Sequence, residues 1–405
     1  MMPAPRTEVS RPLSAIEYFH AATGQSPATL EPPREVIFCV EGRGRLIEAA
    51  VRAAVDVVNA THPGLRLRIV GKRRGARFES DGAAAPLRFV RDSVWDGLSQ
   101  RGSEFLRATP LPFETGPMSE WIVEELTDGR TRIWLRASHA AMDGLGVMHG
   151  LAELFRVLRG EPLAGDNASG SDTELMRAQR APAPAKGDAP PLGRCAQLTG
   201  APEGDATGNV WRRIALNGRR PNSLYRLVGA FNDFARRHDA NLPVLFALPV
   251  NLRRHVEGLV STRNFTSMLH VALQPGEGVE DFKRKWNANL QAKRDAHYSG
   301  QAEIFRRLPF AWLDWLLHRR RGNYRGKRLL ETAAISHLGY FRTAHYSCEG
   351  YRAERVWGVP LPGSAFTLVF GTEKSLDVIV GLPETYAEGG RFEALQTHLA
   401  RALEN

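Results

Sequence analysis

The side chains best suited to chemistry fall in one short stretch, Arg132-Ile-Trp-Leu-Arg-Ala-Ser-His139-Ala-Ala-Met-Asp143-Gly144. An apolar strand ends at an imidazole, and four residues later Asp-Gly opens a helix. A rigid strand would hold the imidazole of His139 at its exposed end, a position from which a side chain that titrates near neutrality can do chemistry. Asp143 falls at the helix N-cap, where free backbone N–H groups stabilise a carboxylate. The spacing alone is equally that of an ordinary strand-end histidine followed by a plain cap. A metal reading of His139, Asp143 and His149 is weaker, because no third ligand has a convincing spacing, and no metal is expected.

Other chemistries lack their residues. There is no Gly-x-Ser-x-Gly elbow for a serine hydrolase. There is no P-loop and no Gly-x-Gly-x-x-Gly after a strand. Cys39, Cys195 and Cys348 are far apart and form no Cys-x-x-Cys pair, which argues against a disulfide framework, a zinc ribbon and an acyl-cysteine intermediate.

The elements that must position these residues alternate between strand and helix. Val36–Val40 is a β-branched run, followed by a helix with Ile47, Val51, Ala54, Val55 and Val58 on one face. Thr61-His62-Pro63-Gly64 stops that helix, and Leu65–Val70 alternates as a half-buried strand does. Trp121–Leu126 and Thr131–Ser138 flank Asp128-Gly129, a hairpin signal. A helix with Val147, Met148, Leu151, Leu154, Phe155 and Leu158 follows the motif and ends at Gly160. Residues 166–208 are rich in Ala, Gly, Pro, Ser and Asp and read as a linker. A second alternation begins with the strand Val210–Leu216 and the helix Leu224–Arg237, capped at Asn222-Ser223. Leu242–Val250 reads as a central buried strand, and Ser267–Leu273 as another. Helices are expected at Asp281–Ala296 and Ala302–His318, strands at Ala333–Gly339, Phe366–Gly371 and Leu376–Gly381, and a closing helix through Phe392, Leu395, Leu399 and Leu403. The division is therefore a lobe at 1–165, a linker at 166–208 and a second lobe of similar order at 209–405.

Composition narrows the class. A chain of 405 residues with 43% hydrophobic content can build packed cores. No run approaches the length of a spanning helix, and the polar Met1–Arg11 has no secretory character, so a cytoplasmic protein is expected. The formal charge is +10, carried almost wholly by Arg. This fits either general Arg usage at the surface or an acidic partner such as coenzyme A, a carrier protein, an anionic membrane or nucleic acid. No helix-turn-helix, RNP motif or zinc finger supports nucleic acid.

The segment Ser138-His139-x-x-x-Asp143-Gly144 resembles the His-His-x-x-x-Asp-Gly motif of the condensation-domain superfamily. That superfamily also holds polyketide-associated and wax-ester acyltransferases and chloramphenicol acetyltransferase. Ser138 stands where the family has its first His. Arg11-Pro-Leu-Ser-Ala-Ile-Glu17, Thr61-His-Pro-Gly-Leu-Arg66, Pro249-Val-Asn-Leu-Arg253, Asn264-Phe265 and Ile335-Ser-His-Leu-Gly339 resemble further family segments in the same order, with His337 in place of an Asn.

The resemblance implies an α+β fold of two chloramphenicol-acetyltransferase-like lobes in a V-shaped pseudo-dimer, with a tunnel between them. It implies His139 as the catalytic residue, supported by Ser138, Asp143, Gly144 and Arg253, the last paired with Asp143 across the lobes. Asn251, Asn264, Ser336 and His337 would line the tunnel. The implied activity is that of a free-standing acyltransferase using acyl-CoA or a phosphopantetheine-linked thioester, with a small-molecule hydroxyl or amine acceptor and no tightly bound cofactor. A silent relative that only binds a carrier or metabolite is the alternative, prompted by Ser138 and His337. Phe305–Arg328 mixes Phe310, Trp312 and Trp315 with Arg319, Arg320, Arg321 and other cations. It reads either as a packed helix with a solvated basic end or as a docking face, for an acyl or peptidyl carrier ahead of a membrane surface.

Overall fold

The computed structural model describes residues 8–24, 33–73, 75–183, 194–300, 302–321 and 328–404. In chain order the first half gives β1 (Ser10–Pro12), α1 (Ala15–Ala22), β2 (Glu35–Gly44), α2 (Glu48–Thr61), β3 (Arg68–Val70), β4 (Arg77–Glu79), β5 (Leu87–Ser93), β6 (Ser119–Leu126), β7 (Arg130–Ser138) and α3 (Gly144–Leu158). Then come α4 (Asp172–Gln179), β8 (Asn209–Asn217), α5 (Ser223–Arg236), β9 (Val244–Asn251), β10 (Thr266–Leu273), α6 (Val279–Gln291), α7 (Ala302–Phe305) and α8 (Phe310–Arg321). The chain closes with β11 (Ala333–Phe341), β12 (Tyr351–Val359), β13 (Phe366–Thr372), β14 (Ser375–Pro383) and α9 (Arg391–Glu404).

Two mixed sheets carry the fold. One is five-stranded in the order β12-β2-β7-β6-β5, and the other six-stranded in the order β10-β9-β11-β13-β14-β8. β2 lies antiparallel to β7 with Glu35 opposite Ser138, which fixes where the motif strand ends. A small third sheet, β1-β4-β3, sits beside them. α2 and α3 pack on the first sheet through Val51, Val55, Val58, Val147, Leu151 and Leu154, as their periodicity predicts, whereas Ile47, expected on the same face, precedes α2 and is exposed. α5 and α9 cover the second sheet through Leu227, Phe231, Leu395 and Leu399.

The strands do not divide at the expected linker. β12 belongs to the second half of the chain but pairs with β2 of the first sheet, Val356 opposite Val40. A bulge between Ala353 and Arg355 breaks its alternation, so the sequence showed no regular period there. Arg213 of β8 then bridges the sheets, reaching Glu41 at 3.4 Å and Asp377 of β14 at 2.8 Å over the face of Trp357.

Three further expectations need correction. Within 166–208, α4 carries a Ser171–Glu174 capping box and packs Leu175 and Met176 with Leu252 and Phe265. Cys195–Leu198 is likewise buried, held by the Ala196 N–H on the Pro243 carbonyl at 2.9 Å. Leu65–Val70 is strand only over its second half, Arg68–Val70, because Pro63 starts a 3₁₀ turn that runs through Leu65 and Arg66. The expected helix Ala302–His318 is two, broken before Phe310 by Pro309, which lacks the N–H that would continue the first. Among the described residues no helix is long and apolar enough to cross a membrane.

Candidate functional site

The motif strand, β7, is fully buried from Thr131 to Ser138, so its end is held by packing on both faces. His139 follows it, with its N–H bonded to the Arg34 carbonyl at 2.8 Å. Asn264 donates to the His139 carbonyl at 2.8 Å, and its amide nitrogen lies 3.4 Å from the ring Nδ1. The imidazole meets a cavity of about 500 Å³ that is bordered by both large sheets, with Phe38, Ala247, Asn251, Thr266, Ser336 and His337 among its walls. Protein atoms shield the ring from bulk water although part of it opens into the cavity. That shielding, with the positive charge of Arg34, drives its pKa down to about 4, against a smaller upward pull from Asp143 and backbone carbonyls. The ring is therefore neutral across the physiological range.

Asp143 is the N-cap of α3 and accepts from the Gly146 N–H at 2.7 Å. Arg253 grips it bidentately, at 2.8 Å to Oδ2 and 3.1 Å to Oδ1. The Phe265 N–H (2.7 Å) and the Thr266 hydroxyl (3.0 Å) complete its shell. Burial would raise the Asp143 pKa, but Arg253 and these donors outweigh it and hold the carboxylate below its usual range. Arg253 is braced in turn by Asn251 Oδ1 and by the carbonyls of Ser261 and Arg263. Asp143 and Arg253, expected to pair across the two halves of the chain, are thus in contact, and the Asp143 oxygens are engaged by Gly146, Arg253, Phe265 and Thr266.

Gly144 and Gly146 are required by close approach. A Cβ on Gly144 would stand 2.7 Å from Phe38 Cε2, and one on Gly146 would stand 2.2 Å from the Thr262 carbonyl oxygen. Ser138 is buried away from the cavity, and its Oγ accepts from the Ala140 N–H at 3.3 Å, a turn-bracing role. Asn251, Ser336 and His337 border the cavity, whereas Asn264 acts behind His139. His337 Nδ1 accepts from the Gly339 N–H, so its Nε2–H donates to Ser223 Oγ at 2.9 Å and ties β11 to α5. Arg319, Arg320 and Arg321 end α8, but their side chains lie outside the described residues.

The metal-type group that includes His149 is completed by His62 and Glu153, not by His139 and Asp143. His149 bonds the Gly165 carbonyl at 2.8 Å and stands edge-on to His62, whose Nε2 meets Glu153 at 3.0 Å. Glu153 also takes the N–H groups of Ala164 and Gly165, so internal hydrogen bonds already engage this metal-type cluster. Sequence reasoning missed His20, Arg34 and Thr266. No periodicity marks a residue whose partner is distant in the chain; the one local signal for His20 is its place in the last turn of the Ser14-capped helix Ala15–Ala22.

Two mixed sheets meeting over such a cavity, with β12 crossing between them, define the condensation-domain fold. The starter condensation domain of rhizomide synthetase, solved with C8-CoA and Leu-SNAC, superposes with TM-score 0.69 at 16% identity over 97% of this chain and 93% of its own. The first condensation domain of the calcium-dependent antibiotic synthetase, solved with a substrate analogue, gives TM-score 0.70 at 20% identity over 98% and 96%. No protein-family model and no curated protein sequence matches the chain.

Proposed function

We propose that this protein is a condensation-type acyltransferase. It moves an acyl group from a thioester, on coenzyme A or on an acyl or peptidyl carrier protein, to a hydroxyl or amine of a small acceptor. The product is an ester or amide in specialised-metabolite or lipid biosynthesis, made in the cytoplasm. The observation that carries this reading is a neutral, shielded His139 on the wall of a cavity bordered by both sheets. The C8-CoA in complex with the similar starter domain supports the donor class.

The acceptor O–H or N–H gives its proton to the imidazole as the heteroatom bonds to the thioester carbonyl carbon. The negative charge developing on the carbonyl oxygen suits the N–H groups of Gly144 and Leu145, which border the cavity at the positive end of α3. The Gly146 N–H is already committed to Asp143. Collapse of the intermediate breaks the C–S bond, and the departing thiolate recovers the proton from the imidazolium. No step calls on a metal or a tightly bound cofactor.

The test is intact-mass analysis of candidate acceptors after incubation with panels of acyl-CoA and acyl-carrier donors. Transfer should occur with wild type and fall roughly 10²–10⁴-fold with folded His139→Ala. A folded His139→Ala protein of near wild-type rate sinks the assignment, and a donor complex without turnover favours a silent binding protein. If Arg319, Arg320 and Arg321 receive a carrier, reversing them to Glu should raise KM for carrier-bound donor only, and salt should mimic the change.

A further inference from the structure

We propose that His20 is a positioning residue for His139: its ring lies flat on the His139 imidazole and sets the plane in which that ring meets the acceptor. The two rings stack with centroids 4.0 Å apart and 6° between their planes.

The motif's own residues do not supply this contact. Ser138 Oγ is engaged by the Ala140 N–H. The Asp143 oxygens are engaged by Gly146, Arg253, Phe265 and Thr266. Asn264 meets His139 at its carbonyl and at the edge of its ring. An edge contact to one ring nitrogen resists translation, whereas a flat ring 4.0 Å away blocks rotation about χ2, which is otherwise broad for His.

α1 is a firm support for the stacking ring. Its Ser14–Glu17 capping box is closed, and Arg11 pairs with Glu17 at 2.6 Å. Tyr18 donates to the Leu308 carbonyl and packs its ring on Phe310, with centroids 4.6 Å apart. α1 is thus fixed between the cavity and α8, and His20 faces the site from it.

Among the described residues, the charges that act on the His139 ring are those of Arg34, just before β2, and Asp143 at the start of α3, and Glu35 lines the same cavity. Asn264 faces the ring as a neutral amide from the loop before β10. A second imidazole laid flat on His139 adds shielding to that face of the ring. Two protonated rings at this separation would repel, so the stack disfavours charge on both rings at once.

This inference rests on the reading of His139 as the base, and the experiment separates the two. The His139 Cε1–H signal, assigned with His139→Ala, is titrated by NMR from about pH 3 to 8 in the intact wild type, His20→Ala and His20→Phe proteins. Donor kinetics are measured in parallel. In His20→Ala the His139 midpoint should rise by about one pH unit or more as water reaches the ring. Its kcat should fall roughly tenfold, with KM changed by less than about threefold. His20→Phe keeps a flat ring and should restore both the midpoint and most of kcat. An unchanged midpoint in folded His20→Ala, or a His20→Phe protein no better than His20→Ala, overturns the positioning role. If His20→Ala folds poorly, His20→Asn, which also leaves the ring face open, takes its place with the same expectations. The titration needs no turnover, so an inert wild type would remove the acyltransferase reading while still deciding the stack.

Discussion

A histidine in water is half protonated near pH 6.5, whereas shielding by protein and the charge of Arg34 bring His139 down to about 4. The difference has two measurable consequences. As a base the neutral ring should stay competent well below pH 6.5, so the acid limb of kcat/KM should fall only as pH approaches 4. Between those values the unfolded chain binds a proton that the folded ring refuses. This contribution to stability is complete above pH 6.5 and is lost as pH falls toward 4. Urea unfolding of wild type and His139→Ala at neutral pH and near pH 5 checks the sign: the wild type should lose more on acidification. Ser138 makes one side-chain contact of this kind, to a backbone N–H at 3.3 Å and outside the cavity. Ser138→Ala should therefore cost less than about tenfold in turnover, or 1.4 kcal/mol of barrier. A loss equal to that of His139→Ala would put the hydroxyl into the chemistry.

The element that sets the site is α3. Its N-terminus is pressed against Phe38 of β2 on one side and the Thr262 backbone on the other, with no room for a Cβ at Gly144 or Gly146. At Gly146 the obstacle is a backbone carbonyl at 2.2 Å, which cannot rotate away as a side chain can. Gly146→Ala should cost about 1–3 kcal/mol of stability by overpacking. It should also lower kcat, because the loop that moves carries Asn264, Phe265 and Thr266. Gly278→Ala is the control: it too is a helix N-terminal glycine, but nothing lies within 4 Å of its added Cβ. Equal melting temperatures for the two variants would show that α3 can shift without cost.

Across the whole molecule, buried ion pairs tie the two halves of the chain together. Arg213 lies between Glu41 and Asp377, and Arg253 grips Asp143. The Asp143 side chain is 1% exposed and that of Arg253 9%, so removing either leaves the other charge nearly dry. Each of Asp143→Ala and Arg253→Ala should cost about 3–5 kcal/mol. The double variant should cost clearly less than their sum, because the second change removes a charge already stranded. Denaturant unfolding of the four proteins in the cycle measures the coupling. Additive losses would mean that the pair does not hold the halves together.

Local rules made much of this protein legible. Alternation marked the hairpin around Asp128-Gly129, periodicity marked the buried faces of α2 and α3, and Asp-Gly after His139 marked a strand–histidine–helix unit. Those features depend on neighbours within a few residues, so sequence alone determined them. The likeness of ordered segments to a known superfamily extended this to Arg253 and its partner. Tertiary structure alone decided that β12 crosses to pair with β2 and that α4 packs beside the site. It alone laid His20 on His139 and placed Asn264 behind it. The physical reason is range. Hydrogen-bonded turns and amphipathic faces are set by adjacent residues. Which distant strand completes a sheet, and which distant ring covers an imidazole, is settled only when whole faces pack and each buried polar group must find its partner.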